Sequence, residues 1–236
     1  MGQETEGVTG ETNKAMTRSR GRPRQISRER IVSAARTVAP AALTMQAVAD
    51  VLGVDPKALN YHVGDREGLR ELVALDVFES ALGRVALPAG GDWREVIRSY
   101  AAALRDAFAE LGVLAMAFHL RGASGLRTLA PAECVLQALN DAGLGVEEAG
   151  RTLTFITETA YSAGRDAVLL AQNRVHPIVP EVASALEVAA EQDFPMLRRV
   201  VAFGGGDGHD AGQLEFNLGV IIAGLEQTLA SRPRLV

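Results

Sequence analysis

A chain of 236 residues, 47% of them hydrophobic and with a formal net charge of −5, is long enough for one large or two small domains and apolar enough for a packed core, which excludes overall disorder. Its single cysteine, Cys134, excludes an internal disulfide framework and every multi-cysteine zinc site. No run reaches the roughly 18 apolar residues of a membrane span, and Met1 to Thr12 is acidic and polar, unlike a secretory signal, so the expectation is a soluble cytoplasmic protein with no membrane partner.

The charge is unevenly spread. Between Lys14 and Arg30 seven basic residues stand against one acid, Glu29. Residues 1–25 therefore read as a flexible basic arm on an acidic body. Residues 26–86 form the first organised unit. Ser27 is placed to cap a helix with Ile31, Ala34, Ala35 and Val38 on one face, and Ile26 to staple onto Ile31. Pro40 ends it. Thr44 caps a second helix on Met45, Val48, Ala49 and Leu52, which Gly53 stops because glycine accepts a left-handed conformation without steric cost. Asp55 caps a third, with Pro56 at its first position. Gly64-Asp65 breaks and recaps the chain for a longer helix on Leu69, Leu72, Val73, Val77 and Leu82, running to about Arg84. Two short helices across a glycine-containing turn are the geometry that lays the second helix in a DNA major groove, although short capped pairs also occur in bundles.

The residues themselves carry a resemblance. Ile31-Val32-Ser33-Ala34-Ala35, then Leu43-Thr44-Met45-Gln46-Ala47-Val48-Ala49, then Leu52-Gly53-Val54-Asp55-Pro56-Lys57-Ala58-Leu59-Asn60-Tyr61-His62-Val63, then Asp65-Arg66-Glu67-Gly68-Leu69 resembles the DNA-binding domain of the tetracycline-repressor (TetR) family. The match runs from about Ser27 to Val77 in order and without gaps. Phe216 to Leu225 is similar to the final helix of the tetracycline-repressor subgroup. The fold this implies is an all-α homodimer with an N-terminal helix-turn-helix domain and a helical ligand-binding and dimerisation domain.

Carried over by position, the resemblance puts Thr44 and Gln46 near the DNA backbone and makes Pro56 to Val63 the recognition helix. Lys57 and Ala58 would face base edges, Lys57 donating to guanine and Ala58 offering apolar contact to a thymine methyl. Tyr61 and His62 would lie against the backbone or groove wall, and Arg66 would bind phosphate. The family commonly has Tyr directly after the Leu. Here Asn60 intervenes, a residue able to bond phosphate or adenine. Arg20-Gly21-Arg22-Pro23 matches an AT-hook core, which gives Arg20, Arg22 and Arg24 a minor-groove role; nonspecific phosphate attraction is the alternative, and both imply strong salt dependence.

Pro88 to Gly91 marks a boundary, and residues 91–236 continue as helices. Asp92 and Glu95 form a capping box for a helix through Leu111. Val113 to Leu120 is a short apolar piece. Pro131 opens a helix to about Asp141, and a long one spans about Val146 to Gln172. Pro180 opens one to about Gln192, Pro195 another to about Phe203. Gly204 to Gly212 has the composition of a flexible loop. The closing helix is apolar on a face wide enough for burial on two sides, so Phe216, Val220, Ile221, Gly224 and Leu225 are candidates for a dimer interface.

No catalytic constellation appears. The four histidines have no metal-ligand spacing, and no phosphate loop or nucleophile elbow is present, so neither enzyme activity nor a cofactor or metal is expected. Phe108, Met116, His119, Phe155, Tyr161 and Arg165 mix apolar walls with polar groups, as small-molecule cavities do; each also reads as ordinary core or solvated surface. The expected function is a ligand-responsive, homodimeric DNA-binding transcriptional regulator, a repressor leaving a palindromic operator when a small molecule binds. The alternative is a helical small-molecule-binding protein without sequence-specific DNA binding.

Overall fold

The computed structural model describes residues 26–88, 90–119, 122–173, 176, 178–204 and 211–232. Arg20, Arg22 and Arg24 lie outside them. Among the described residues every regular element is helical: α1 Arg28–Ala35, α2 Met45–Leu52, α3 Pro56–Val63, α4 Arg66–Leu82, α5 Trp93–Leu111, α6 Leu129–Asp141, α7 Val146–Asn173, α8 Ile178–Glu187, α9 Pro195–Gly204 and α10 Ala211–Ala230. Three 3-10 segments, Pro40–Ala42, Gly112–Ala117 and Gly122–Thr128, join them.

The head, made of α1 to α4, forms where its caps dictate. The side chains of Ser27, Thr44, Asp55 and Asp65 accept hydrogen bonds from backbone amides in the first turns of α1 to α4, satisfying N–H groups that have no partner within the helix. Gly53 ends α2 at φ 67°. Ile31, Leu43, Val48, Leu59 and Leu69 are fully buried where these helices meet.

α4 carries the core out of the head. Leu69 and Val73 belong to the same continuous buried cluster as Phe78, Ala81 and Leu82, and that cluster runs on through Ile97 and Leu104 of α5 to Leu139, Ile156 and Leu218. α5 and α7 lie close together because residue 164 is glycine. A Cβ there would sit 2.7 Å from the Arg105 carbonyl oxygen and 2.8 Å from the Phe108 Cβ. Arg94 at the start of α5 binds Asp92 and reaches Glu226 of α10 at 2.5 Å.

Several boundaries differ from expectation. α6 and α8 begin at Leu129 and Ile178, two residues ahead of Pro131 and Pro180, because a proline anywhere in the first turn gives up an N–H that has no helical acceptor. α8 stops at Glu187 and not near Gln192. Arg198 of α9 takes up the free carbonyls there, its Nη2 donating to Leu186, Ala189 and Ala190 at 2.9 to 3.3 Å.

Candidate DNA-reading face and ligand cavity

α3 is held from below and capped at its start. Leu59 is buried in the head core, and the Asp55 carboxylate accepts from the Lys57 amide at 2.8 Å. That leaves Lys57, Asn60 and Tyr61 exposed on the outer side, with Tyr61 92% accessible and its ring edge-on to His62 at 5.3 Å. Ala58 and His62 are half-buried. Arg28, in the first turn of α1, donates from Nε to the His62 carbonyl at 3.3 Å, placing a cation at the negative end of the α3 dipole. Sequence pattern did not single out Arg28, since nothing local ties it to a residue in another helix.

The other candidate DNA contacts surround this helix. The Thr44 hydroxyl accepts from the Ala47 amide at 3.1 Å, so it serves as a cap and keeps its own hydrogen to donate. Gln46 is exposed and bonded to Asp50 at 2.7 Å. Arg66 is exposed in the first turn of α4, next to where Gly68 packs against the end of α3, 1.9 Å being left between a Cβ there and the Val63 carbonyl oxygen.

A cavity of about 90 Å³ lies between α5, the Gly112–Ala117 segment and α7. Phe108, Tyr161 and Arg165 line it together with Ala115 and Val168. Phe108 meets Tyr161 edge-on at 5.0 Å and Phe78 of α4 at 5.2 Å, and Phe78 in turn lies 4.2 Å from Phe118. An aromatic cluster thus connects the cavity wall on α7 with α4. The Gly112–Ala117 wall is tied to α4 by a hydrogen bond from Arg70 Nη2 to the Val113 carbonyl at 3.3 Å. Arg70 Nε is buried without a partner among the described residues. Neither Phe78 nor Arg70 carries a local sequence signal for this role.

Three expected ligand contacts stand elsewhere. Met116 points outward at 84% exposure, because the 3-10 geometry of Gly112–Ala117 turns Leu114 and Ala117 inward instead. His119 lies past that segment, in a groove shared with Tyr61 and His62 of α3. Phe155 is two turns from Tyr161 on α7 and lines a separate 510 Å³ groove with Asp166, His176 and Asn217. Of the candidate interface residues, Phe216 and Val220 are exposed at 67% and 60% and Gly224 is open, whereas Ile221 at 7% belongs to the core and Leu225 packs partly against it.

Among the described residues no group of three or more His, Cys, Asp or Glu side chains is placed to hold a metal ion, and no helix is long and apolar enough to cross a membrane.

Residues 86–229 match the family model for the tetracyclin repressor-like C-terminal domain. No curated protein matches the chain. Among solved structures, a possible TetR family transcriptional regulator from Streptomyces coelicolor A3(2) is 22% identical with a TM-score of 0.68, over 86% of this chain and 100% of that one. The Streptomyces coelicolor TetR family protein ActR in complex with (S)-DNPA is 24% identical with a TM-score of 0.66, over 87% and 99%. TetR from Acinetobacter baumannii AYE is 17% identical with a TM-score of 0.56, over 88% and 100%. With its C-terminal domain matched over more than half its length and helices α1 to α4 arranged as a helix-turn-helix head, the chain belongs to the tetracycline-repressor family of transcriptional regulators.

Proposed function

We propose that the protein is a homodimeric repressor that leaves a palindromic operator when a small molecule enters the cavity between α5 and α7. Lys57 and Ala58 read base edges. Asn60, Tyr61, His62, Thr44, Gln46 and Arg66 hold the backbone, and Arg20, Arg22 and Arg24 follow the adjacent minor groove. Phe216, Val220 and Gly224 contribute to the subunit interface. The head at residues 26–86 and the body at 91–236 act as the two domains.

The observation that carries this reading is that one short segment serves both ends. Gly112–Ala117 lines the cavity through Gly112 and Ala115 and is bonded to α4 through Val113 and Arg70. α4 starts at Arg66, three residues after the end of the recognition helix. A ligand can release DNA only by binding the released conformation more tightly. An occupant that displaces this segment would move α4, and with it the heads, away from the roughly 34 Å spacing of successive major grooves. Small-molecule complexes in the same fold, ActR with (S)-DNPA and ActR with actinorhodin, support an effector cavity in this body.

Selection of bound sequences from random DNA by the full chain at about 150 mM salt tests the reading. A palindrome of two half-sites with A·T-rich flanks is expected. Enrichment of no sequence would favour a ligand-binding protein without sequence-specific DNA binding.

A further inference from the structure

The geometry points to a single-ring aromatic carboxylate as the class of effector, with the ring in the α5–α7 cavity and the carboxylate on Arg165. The inference rests on the reading of that cavity as the effector site.

The size of the cavity comes first. About 90 Å³ is less than the roughly 150 Å³ of an apolar cavity that holds benzene, so one six-membered ring enters with a small shift of one wall. The Gly112–Ala117 segment is the wall that can give, being held by i to i+3 bonds of poorer geometry than those of the flanking helices. Phe108 and Tyr161 stand at 88° to one another, which offers a ring one face and one edge at once, the arrangement aromatic groups prefer. Ala115 and Val168 add apolar surface without polar competition.

The charge comes from one residue. Among the described residues Arg165 is the cation that lines the cavity, and no acidic side chain of theirs lines it. Its ion-pair partner is Asp166, at 3.5 Å, the outer limit of a hydrogen bond. Asp166 itself faces the neighbouring groove, where it lies 3.6 Å from His176. The guanidinium therefore keeps donors for a carboxylate, which it can hold through two parallel N–H bonds. A neutral ring forgoes those bonds, and an ammonium group would be repelled.

Calorimetric titration of the full chain with benzoate, benzyl alcohol and benzylamine tests the inference. Benzoate is expected to bind at least tenfold tighter than either of the others. Arg165→Gln, at an exposed side chain, should lower benzoate to the affinity of benzyl alcohol and leave benzyl alcohol unchanged. Ala115→Leu fills the cavity and should abolish binding of both; Val168→Phe fills it from the opposite wall and serves if the first variant loses helical signal. Equal binding of benzoate and benzyl alcohol, or a ratio that Arg165→Gln does not alter, overturns the carboxylate class and leaves the cavity as the effector site. Failure of all three probes to bind, or binding that survives both filled variants, overturns the cavity reading together with it.

Discussion

Arg70 of α4 holds the carbonyl of Val113 at 3.3 Å, and Val113 stands in the segment that walls the cavity. This long-range bond joins the helix beneath the recognition helix to the place a ligand would push. Arg70→Met keeps much of the apolar stem and removes the donor. It should leave operator affinity within about twofold while raising at least fivefold the effector concentration needed for half release, a shift of about 1 kcal/mol in coupling. Fluorescence anisotropy with labelled operator reads both numbers, and parallel loss of DNA affinity and response would make Arg70 merely structural.

Lys57 stands exposed at the first turn of α3. Lys57→Ala is expected to cost about 1–3 kcal/mol on the preferred site and to flatten preference at one base position per half-site. The arm behaves differently. Replacing Arg20, Arg22 and Arg24 with alanine should weaken all sequences, most of all those with A·T flanks, and reduce the salt slope by about 0.9 per lost phosphate contact. Selection and salt titration separate the two effects.

Much of the head was legible because capping is local. Ser27, Thr44, Asp55 and Asp65 each bond an amide two or three residues on, so the signal lies within one turn of sequence. The cavity was legible only in part. Phe108, Tyr161 and Arg165 converge, but their meeting depends on Gly164 letting α5 approach α7, a contact between distant stretches of chain. His119 and Met116 do not line this cavity, because residue type alone does not say which way side chains turn along a 3-10 segment that starts at a glycine with φ 47°. Ile221 shares the apolar face of α10 with Phe216 and Val220, and periodicity alone does not say which of them the monomer already buries.

Gly164→Ala should destabilise the fold by forcing α5 and α7 apart beside the cavity. The added methyl would meet the Arg105 carbonyl and the Phe108 Cβ at under 3 Å, and overpacking of this kind typically costs about 1–3 kcal/mol. A fall in Tm of about 5 °C is expected, with weakened effector binding in calorimetry. An unchanged Tm would mean that α5 and α7 separate freely.

Phe216 and Val220 leave an apolar strip on the outer side of α10. Phe216→Glu should convert the proposed dimer to monomer in sedimentation velocity without reducing helical circular dichroism, because the side chain is 67% exposed within the chain. Operator affinity should fall at least tenfold, since each head then binds its half-site alone. A dimer that persists would assign the interface elsewhere.

Glu79 of α4 lines the cleft that α1 forms with α4, and its Oε1 is buried with no hydrogen-bond partner among the described residues. Burial raises its carboxyl above the usual range, Arg127 opposing and Asp76 adding to the effect. A carboxyl whose folded-state pKa is raised takes up its proton more readily in the folded chain. Its contribution therefore favours folding below the unfolded value and is lost as pH rises through the folded one. Glu79→Gln holds the site neutral at every pH. It should raise Tm by about 2 °C at pH 7, where burial opposes the charged form of the wild-type carboxyl, and change it little near pH 4. Thermal melts of both chains across that interval check the sign. A lower Tm for the variant at pH 7 would show that the carboxylate is paired in solution, and Arg127, which lines the same cleft, is the cation to replace next.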